Sequence, residues 1–343
     1  MSGGGMMTPT IVRPLIDASL FMRSSSRFDT RITSAAAIFG NSVEDWEERG
    51  GFEEIGQEFR HAGRPESERA TATHQTPSTQ RMPSDEKAEA EEREVRAHFK
   101  VRYRLQQAEE DRRAAGEEVR VWAYETPTGF HGGRRFFAAG VEQFFAFYAK
   151  TRAGRHFDEL IAERTPCRPY FDLEFYRVQN PDVDGRQLVA DFVDTCAFVF
   201  KDACGLDVAP SDFLLLDSST AEKFSAHAIV HLPDGRLFPD NLALKPLLQA
   251  VCAELDARGR CLVRKKNGVR GFFVDHVMYT PNRLFRLVLS AKAHSTAVFR
   301  VADYCRFYAD GPPDQRRLFL DALVVPHRYW EHPVLDLEEL ELI

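Results

Sequence analysis

The chain has 343 residues, 43% of them hydrophobic and 28% charged, with a formal net charge of −7. That is enough for one or two domains with a real hydrophobic core. The longest apolar runs, Phe192 to Phe200 and Phe213 to Leu216, are far too short to span a bilayer, so no membrane partner is expected. The net negative charge argues against a simple nucleic-acid coat protein, but totals hide distribution. Residues 41–70 hold nine acids and four arginines, whereas Cys261 to Arg300 hold eight lysines and arginines against one acid, Asp275.

In chain order, residues 1–92 have weak apolar periodicity and are rich in Gly, Ser, Thr, Arg and Glu, which predicts a disordered tail. Its first forty residues carry Arg13, Arg23, Arg27 and Arg31 with few acids. A mitochondrial transit peptide and a generic tail both fit that pattern. Asp85 to Ala115 alternates charge with good helix formers and lacks Gly and Pro, predicting one long exposed helix. VRVWAYE and RRFFAAG then read as strands around a TPTGFHGG turn, and VEQFFAFYAK as an amphipathic helix.

A second unit is expected from Thr165. Pro169 to Phe175 is a short aromatic strand, Arg186 to Cys204 a helix, Phe213 to Ser218 and Ser225 to Leu232 strands, and Asn241 to Arg258 a helix. Gly271 to Tyr279 and Leu284 to Ser290 are strand-like, and Asp314 to Val324 helical. The β-α-β-β-α-β order suggests an RRM-like, ferredoxin-like unit with helices on one face of an antiparallel sheet. The open face would be free for substrate. The six cysteines, Cys167, Cys196, Cys204, Cys252, Cys261 and Cys305, form no C-x-x-C pair and have no histidine at zinc-site spacing. Reduced, buried thiols are expected, as in a nuclear, cytosolic or mitochondrial protein.

Asp172 and Glu174 in RPYFDLEFY are at i and i+2 of a strand, so both carboxylates project to one side. Two carboxylates this close repel unless a cation lies between them, and hard oxygen ligands suit Mg²⁺ or Mn²⁺. A bare D-x-E is common on surface strands, so the pair says little alone. Asp275, ending the run FFVD, would complete a two-metal site. Lys223, Ser225 and His227 line up along one strand face as donors suited to a triphosphate. Arg283, Arg286 and Lys292 in YTPNRLFRLVLSAK can surround an anion, and Arg135 is a weaker candidate of the same kind. Neither a P-loop nor a nucleophile-elbow serine motif occurs.

The stretches CRPYFDLEFYRVQNPDVDG, LLLDSSTAEKFSAHAIVHLPDGRLFPDN and FFVDHVMYTPNRLFRLVLSAK, in that order, resemble the primase-polymerase branch of the archaeo-eukaryotic primase superfamily. VRVWAYETPTGFHGGRRFF and VEQFFAFYAK add weaker support, and the likeness covers residues 95 to 330. It implies an α+β archaeo-eukaryotic primase core. Residues 93–164 would form an N-terminal helix and small α/β module, 165–335 the RRM-like antiparallel-sheet module, and 336–343 an acidic tail. It further implies that Asp172, Glu174 and Asp275 hold the catalytic Mn²⁺ or Mg²⁺ ions. Arg135, Lys223, Ser225, His227, Arg283, Arg286 and Lys292 would bind the nucleotide, with Phe157 near its sugar.

The implied activity is template-directed nucleotidyl transfer from dNTP or NTP onto a primer or first nucleotide on single-stranded DNA, in replication restart and damage tolerance. A monomer located in the nucleus or mitochondrion is implied. The family's zinc knuckle, associated with starting primers, has no counterpart in this sequence. The closing HPVLDLEELELI could engage a single-strand-binding protein or be a frayed helix. Two other readings stay open: a catalytically silent nucleic-acid-binding module on the same fold, and a metal-dependent nuclease. Intact carboxylates speak against the first, and a triphosphate-type donor row against the second.

Overall fold

In a computed structural model of the chain, residues 83–126, 133–151, 155–293 and 295–336 are described. Arg13, Arg23, Arg27 and Arg31, nearly all of the expected tail and the acidic terminus beyond Asp336 lie outside these residues. In chain order the elements are α1 (Pro83–His98), α2 (Leu105–Ala115), β1 (Val119–Glu125), β2 (Arg134–Gly140), α3 (Val141–Tyr148), β3 (Phe157–Ile161), β4 (Tyr170–Tyr176), α4 (Gly185–Cys204), β5 (Phe213–Asp217), β6 (Lys223–Val230), α5 (Leu244–Ala257), β7 (Leu262–Arg264), β8 (Arg270–Phe272), β9 (Arg283–Arg286), β10 (Arg300–Val301) and α6 (Gln315–Asp321). The protein is an α+β fold of helices and antiparallel sheets.

The single helix expected over Asp85 to Ala115 is instead two helices broken at residues 99–104. Helix propensity loses here to tertiary burial. Phe99 stacks on Phe137 at 4.5 Å, and Arg102 exchanges backbone bonds with Phe136 (N to O 2.7 Å and 2.8 Å). The chain must therefore run extended along β2, and Asp111 of α2 secures the break by accepting from Lys100 at 2.8 Å and Arg102 at 2.6 Å.

The first sheet has the order β2-β1-β3-β9, all antiparallel. β1 is buried continuously from Arg120 to Tyr124 because both faces are covered, the condition that erases alternation. On one face Trp122, Phe137, Phe144, Phe157 and Phe319 form an aromatic cluster with α1, α3 and α6. On the other, Val121, Leu160 and Leu284 meet Leu105 and Ala108 of α2. β3 was not anticipated from the sequence, and β9 comes from the far end of the chain. The first sheet is thus not made from residues before 165 alone.

The second sheet has the order β10-β5-β6-β4, also antiparallel. β4 alternates as expected: Phe171, Leu173 and Phe175 are buried while Asp172 and Glu174 are half-buried. The buried face receives α4, where Phe192 meets Phe171 edge-on at 4.9 Å. Asp184 caps the start of α4, and Gly205, at φ 64°, supplies the left-handed residue that ends it.

Gly271 to Tyr279 is only partly a strand. Arg270–Phe272 pairs with β7 as a hairpin, Phe273 to Asp275 runs along β4, and His276–Met278 turns away as a 3₁₀ helix. Leu284 to Ser290 likewise leaves the sheet after Arg286, with Leu289 at φ 60°. The six cysteines are free, and burial pushes the Cys204 and Cys261 thiols up to about 11 and about 12. Among the described residues no helix is long and apolar enough to cross a membrane.

Candidate active site

A cleft of about 390 Å³ opens between the two sheets, and eight of the ten residues expected at the site line it, from three strands and the segment after β9. The β4–β6 register explains the first five: Asp172 faces His227, Glu174 faces Ser225, and Tyr176 faces Lys223. Cross-strand partners share a face of the sheet. Two carboxylates therefore meet a row of donors, and Arg283, Arg286 and Lys292 close the cleft from the first sheet and the segment after it.

Asp172 is a strongly perturbed acid. Its Oδ1 is buried without a hydrogen-bond partner. Burial, with Glu174 and then Asp275 adding like charge, pushes its carboxyl up to about 7. Asp275 sits beside it, its backbone N donating to Asp172 O at 2.8 Å, while Asp275 Oδ1 accepts from Val277 N at 2.9 Å. Glu174 is ion-paired with Lys223.

Among the described residues no three His, Cys, Asp or Glu side chains converge as a ready cation cluster. The Lys223 pairing and the Val277 cap draw two of the three acids aside. What remains still fits a divalent cation: an unpartnered buried carboxylate oxygen with two further acids on adjacent backbone, all hard donors.

His227 is held between two rings, stacked on Phe285 at 3.9 Å and on Phe299 at 3.8 Å. It is buried, its Nδ1 has no partner, and its Nε2 is 4.0 Å from Asp172 Oδ1. Burial, reinforced by Arg286, Lys292 and Lys223, holds its pKa well below the ordinary range, so the imidazole is neutral at pH 7. Arg286 is buried too. Its Nη2 donates to Glu125 Oε2 at 2.8 Å and its Nε is 3.2 Å from Asp158 Oδ1, leaving Nη1 without a partner.

Arg135 does not line this cleft. Its guanidinium lies over the Tyr103 ring at 4.3 Å, and its neighbour Arg134 lines the cleft instead. Strand parity is the cause: Arg134 pairs with Glu125, on the cleft side of β1, and Arg135 pairs with Tyr124 on the other side. Phe157 is fully buried in the aromatic cluster of the first sheet and does not line the cleft.

No family model matches the chain. The DNA-directed primase/polymerase protein of Danio rerio is 28% identical over 244 residues, covering 61% of this chain and 46% of that protein. Those of Mus musculus and Homo sapiens are each 28% identical, over 67% and 62% of this chain and 52% and 50% of theirs. The chain is thus similar to the DNA-directed primase/polymerase proteins over about two thirds of its length. By name these relatives are polymerase-type nucleotidyltransferases. The chain spans about half the length of the curated primase/polymerase proteins it matches.

The primase/polymerase likeness alone misses several residues of the cleft. Asp158 and Glu125 hold Arg286, and Asp158 is itself pushed up by burial. Phe285 and Phe299 clamp His227. The readable signal for Asp158 was FDELI, an acid inside an apolar run, which a buried strand accepts only with a paired cation. Arg134 was separable from Arg135 only by the parity of β2.

Proposed function

We propose that this chain is the catalytic core of a DNA primase-polymerase, performing template-directed nucleotidyl transfer. The observation that carries the reading is a set of unpartnered buried polar atoms facing one cleft: Asp172 Oδ1, His227 Nδ1 and Arg286 Nη1. Buried polar groups are nearly always satisfied, and these suit a ligand with both anionic oxygens and a cation. A nucleoside triphosphate with a divalent metal is such a ligand. The strand order β5-β6-β4 followed by the Phe273 to Asp275 segment supports the RRM-like reading of the module carrying the acids.

Asp172, Glu174 and Asp275 would hold Mn²⁺ or Mg²⁺, which supply Lewis-acid stabilisation of charge developing on the transferred phosphoryl group. Lys223, ion-paired with Glu174 in this structure, would be free for a phosphate if that carboxylate held a cation. Ser225 donates its hydroxyl. Neutral His227 donates an N–H without adding charge, and its ring cannot swing because Phe285 and Phe299 fix it. Arg286 keeps Nη2 on Glu125 and presents Nη1 to the triphosphate. Arg283, Lys292 and Arg134 surround the same anion.

The substrates would be dNTP or NTP, a single-stranded DNA template and a primer, in replication restart or lesion bypass. A monomer in the nucleus or mitochondrion, with a single-strand-binding protein as partner of the acidic terminus, completes the proposal.

The test is product analysis with labelled dNTP, Mn²⁺ and primed template. Pyrophosphate with a lengthened primer supports polymerisation. Mononucleotides released from the DNA would mean a nuclease instead.

A further inference from the structure

The β7–β8 hairpin carries Arg264, Lys265, Lys266 and Arg270 and no acid. Its register sets Arg264 directly opposite Arg270, and both are exposed. Like charges opposite one another weaken an antiparallel pair. Arg258 and Arg260, just before the hairpin, are neutralised by Glu254 and Asp191. Neither Arg264 nor Arg270 has an ion-pair partner among the described residues. Two aligned, uncompensated guanidinium groups are the arrangement that an anion between them would relieve.

The hairpin is also fixed against the site. Buried Asn180 accepts from Arg264 N at 2.7 Å and donates to Arg264 O and Tyr176 O, each at 2.9 Å. Lys266 Nζ lies 4.5 Å over the ring of Tyr176, a residue of the cleft wall. Lys265 lays its alkyl chain against Gly271 and interacts electrostatically with Asp275, Glu174 and Asp172.

Position then assigns the anion. The Phe273 to Asp275 segment that follows the hairpin runs along the edge of β4 opposite β6. The donor row Lys223, Ser225 and His227 is on the β6 side. In a phosphoryl transfer the attacking and leaving oxygens are roughly in line on opposite sides of the phosphorus. If the 3′-oxygen attacks the α-phosphorus and the bond to the β-phosphate breaks so that pyrophosphate leaves on the β6 side, the attacking oxygen and its strand arrive from the hairpin side.

We propose that the β7–β8 hairpin binds the phosphodiester backbone of the strand being extended, close to its 3′ end. This rests on the polymerase reading above and adds a strand-specific contact to it. Each phosphate neutralised contributes about 0.9 to the slope of log K against log salt on duplex DNA, so two or three contacts are measurable.

The experiment compares wild type with the triple variant Arg264→Glu/Lys266→Glu/Arg270→Glu. A charge-matched control, Lys245→Glu/Arg306→Glu/Arg328→Glu, alters exposed cations on other elements. Thermal melting first shows all three proteins folded. Fluorescence anisotropy without metal or nucleotide then measures affinity for primer-template and for the unprimed template across a salt series. The expected result is a loss of roughly tenfold or more on primer-template at about 0.1 M salt, with a slope shallower by about 2. Unprimed template should bind the variant within about twofold of wild type. Unchanged primer-template binding would overturn the proposal, and so would an equal loss on both DNAs, since the hairpin would then contact the template. Failure of wild type to extend any primer would instead sink the polymerase reading, a separate outcome from the binding comparison.

Discussion

The imidazole of His227 and the phenyl ring of Phe285 are stacked at 3.9 Å, although they belong to different sheets. The candidate site is therefore an interface between the sheets. Its geometry depends on packing as much as on its charged groups.

Phe285→Ala should remove one wall of that stack and destabilise the protein by about 3–5 kcal/mol, the usual cost of emptying a buried aromatic site. Phe285→Leu should cost less, because it keeps most of the volume. Urea unfolding of both variants checks this, and equal stabilities of wild type and Phe285→Ala would contradict the packing described.

Asp172 gives a pH dependence whose sign follows from its shift. Its carboxyl is raised from about 3.8 to about 7, so between those values the folded state binds a proton that the unfolded state has released. Stability from this group is full below about 4 and is lost as pH rises to about 7. His227 acts in the opposite sense: its lowered pKa costs stability as pH falls below about 6.5. Asp172→Asn isolates the first effect. The variant should gain on wild type as pH rises from 5 to 8, by roughly 1–3 kcal/mol at pH 8. A pH-independent difference would contradict the burial of this carboxylate.

Divalent cation should reverse the same penalty. Mn²⁺ at about 100 times its dissociation constant stabilises a folded binding site by about 2.7 kcal/mol. Melting of wild type at pH 8 should rise with Mn²⁺, and Asp172→Asn/Glu174→Gln should not respond. Identical responses would show the acids are not the cation site.

Asp158 anchors Arg286 from a buried strand, with its Oδ1 3.2 Å from Nε. Asp158→Ala leaves a guanidinium buried beside Glu125 alone, and breaking a buried pair from one side costs about 3–5 kcal/mol. Glu125→Gln keeps a hydrogen-bond acceptor and should mainly raise KM for dNTP, leaving the melting temperature close to wild type. A lowered kcat with unchanged KM would mean that Arg286 acts on the reaction and not on substrate binding.

Much of the site was legible because β4 and β6 alternate. D-x-E and K-x-S-x-H each put their polar residues on one face, and antiparallel pairing then brought the faces together. Strand parity also turns Arg135 away from the cleft and Arg134 towards it, because two adjacent arginines differ only in which side they face. The FDELI strand went unread because neither face is exposed, which removes the period of two. The break at Phe99 was invisible for a similar reason. Local propensity favoured helix through residue 115, and only the contact with β2 interrupts it. The return of β9 to the first sheet is a long-range pairing that no local pattern encodes.

The most direct test of the polymerase reading is primer extension by Asp172→Ala/Glu174→Ala, measured beside its affinity for the same primed template. The reading requires that wild type lengthens the primer with Mn²⁺ or Mg²⁺. The variant should incorporate no nucleotide while binding the DNA within about twofold of wild type, since the carboxylates act on cations and the basic residues hold the phosphates. Wild type that binds DNA and incorporates nothing, or a double variant that still extends, would contradict it.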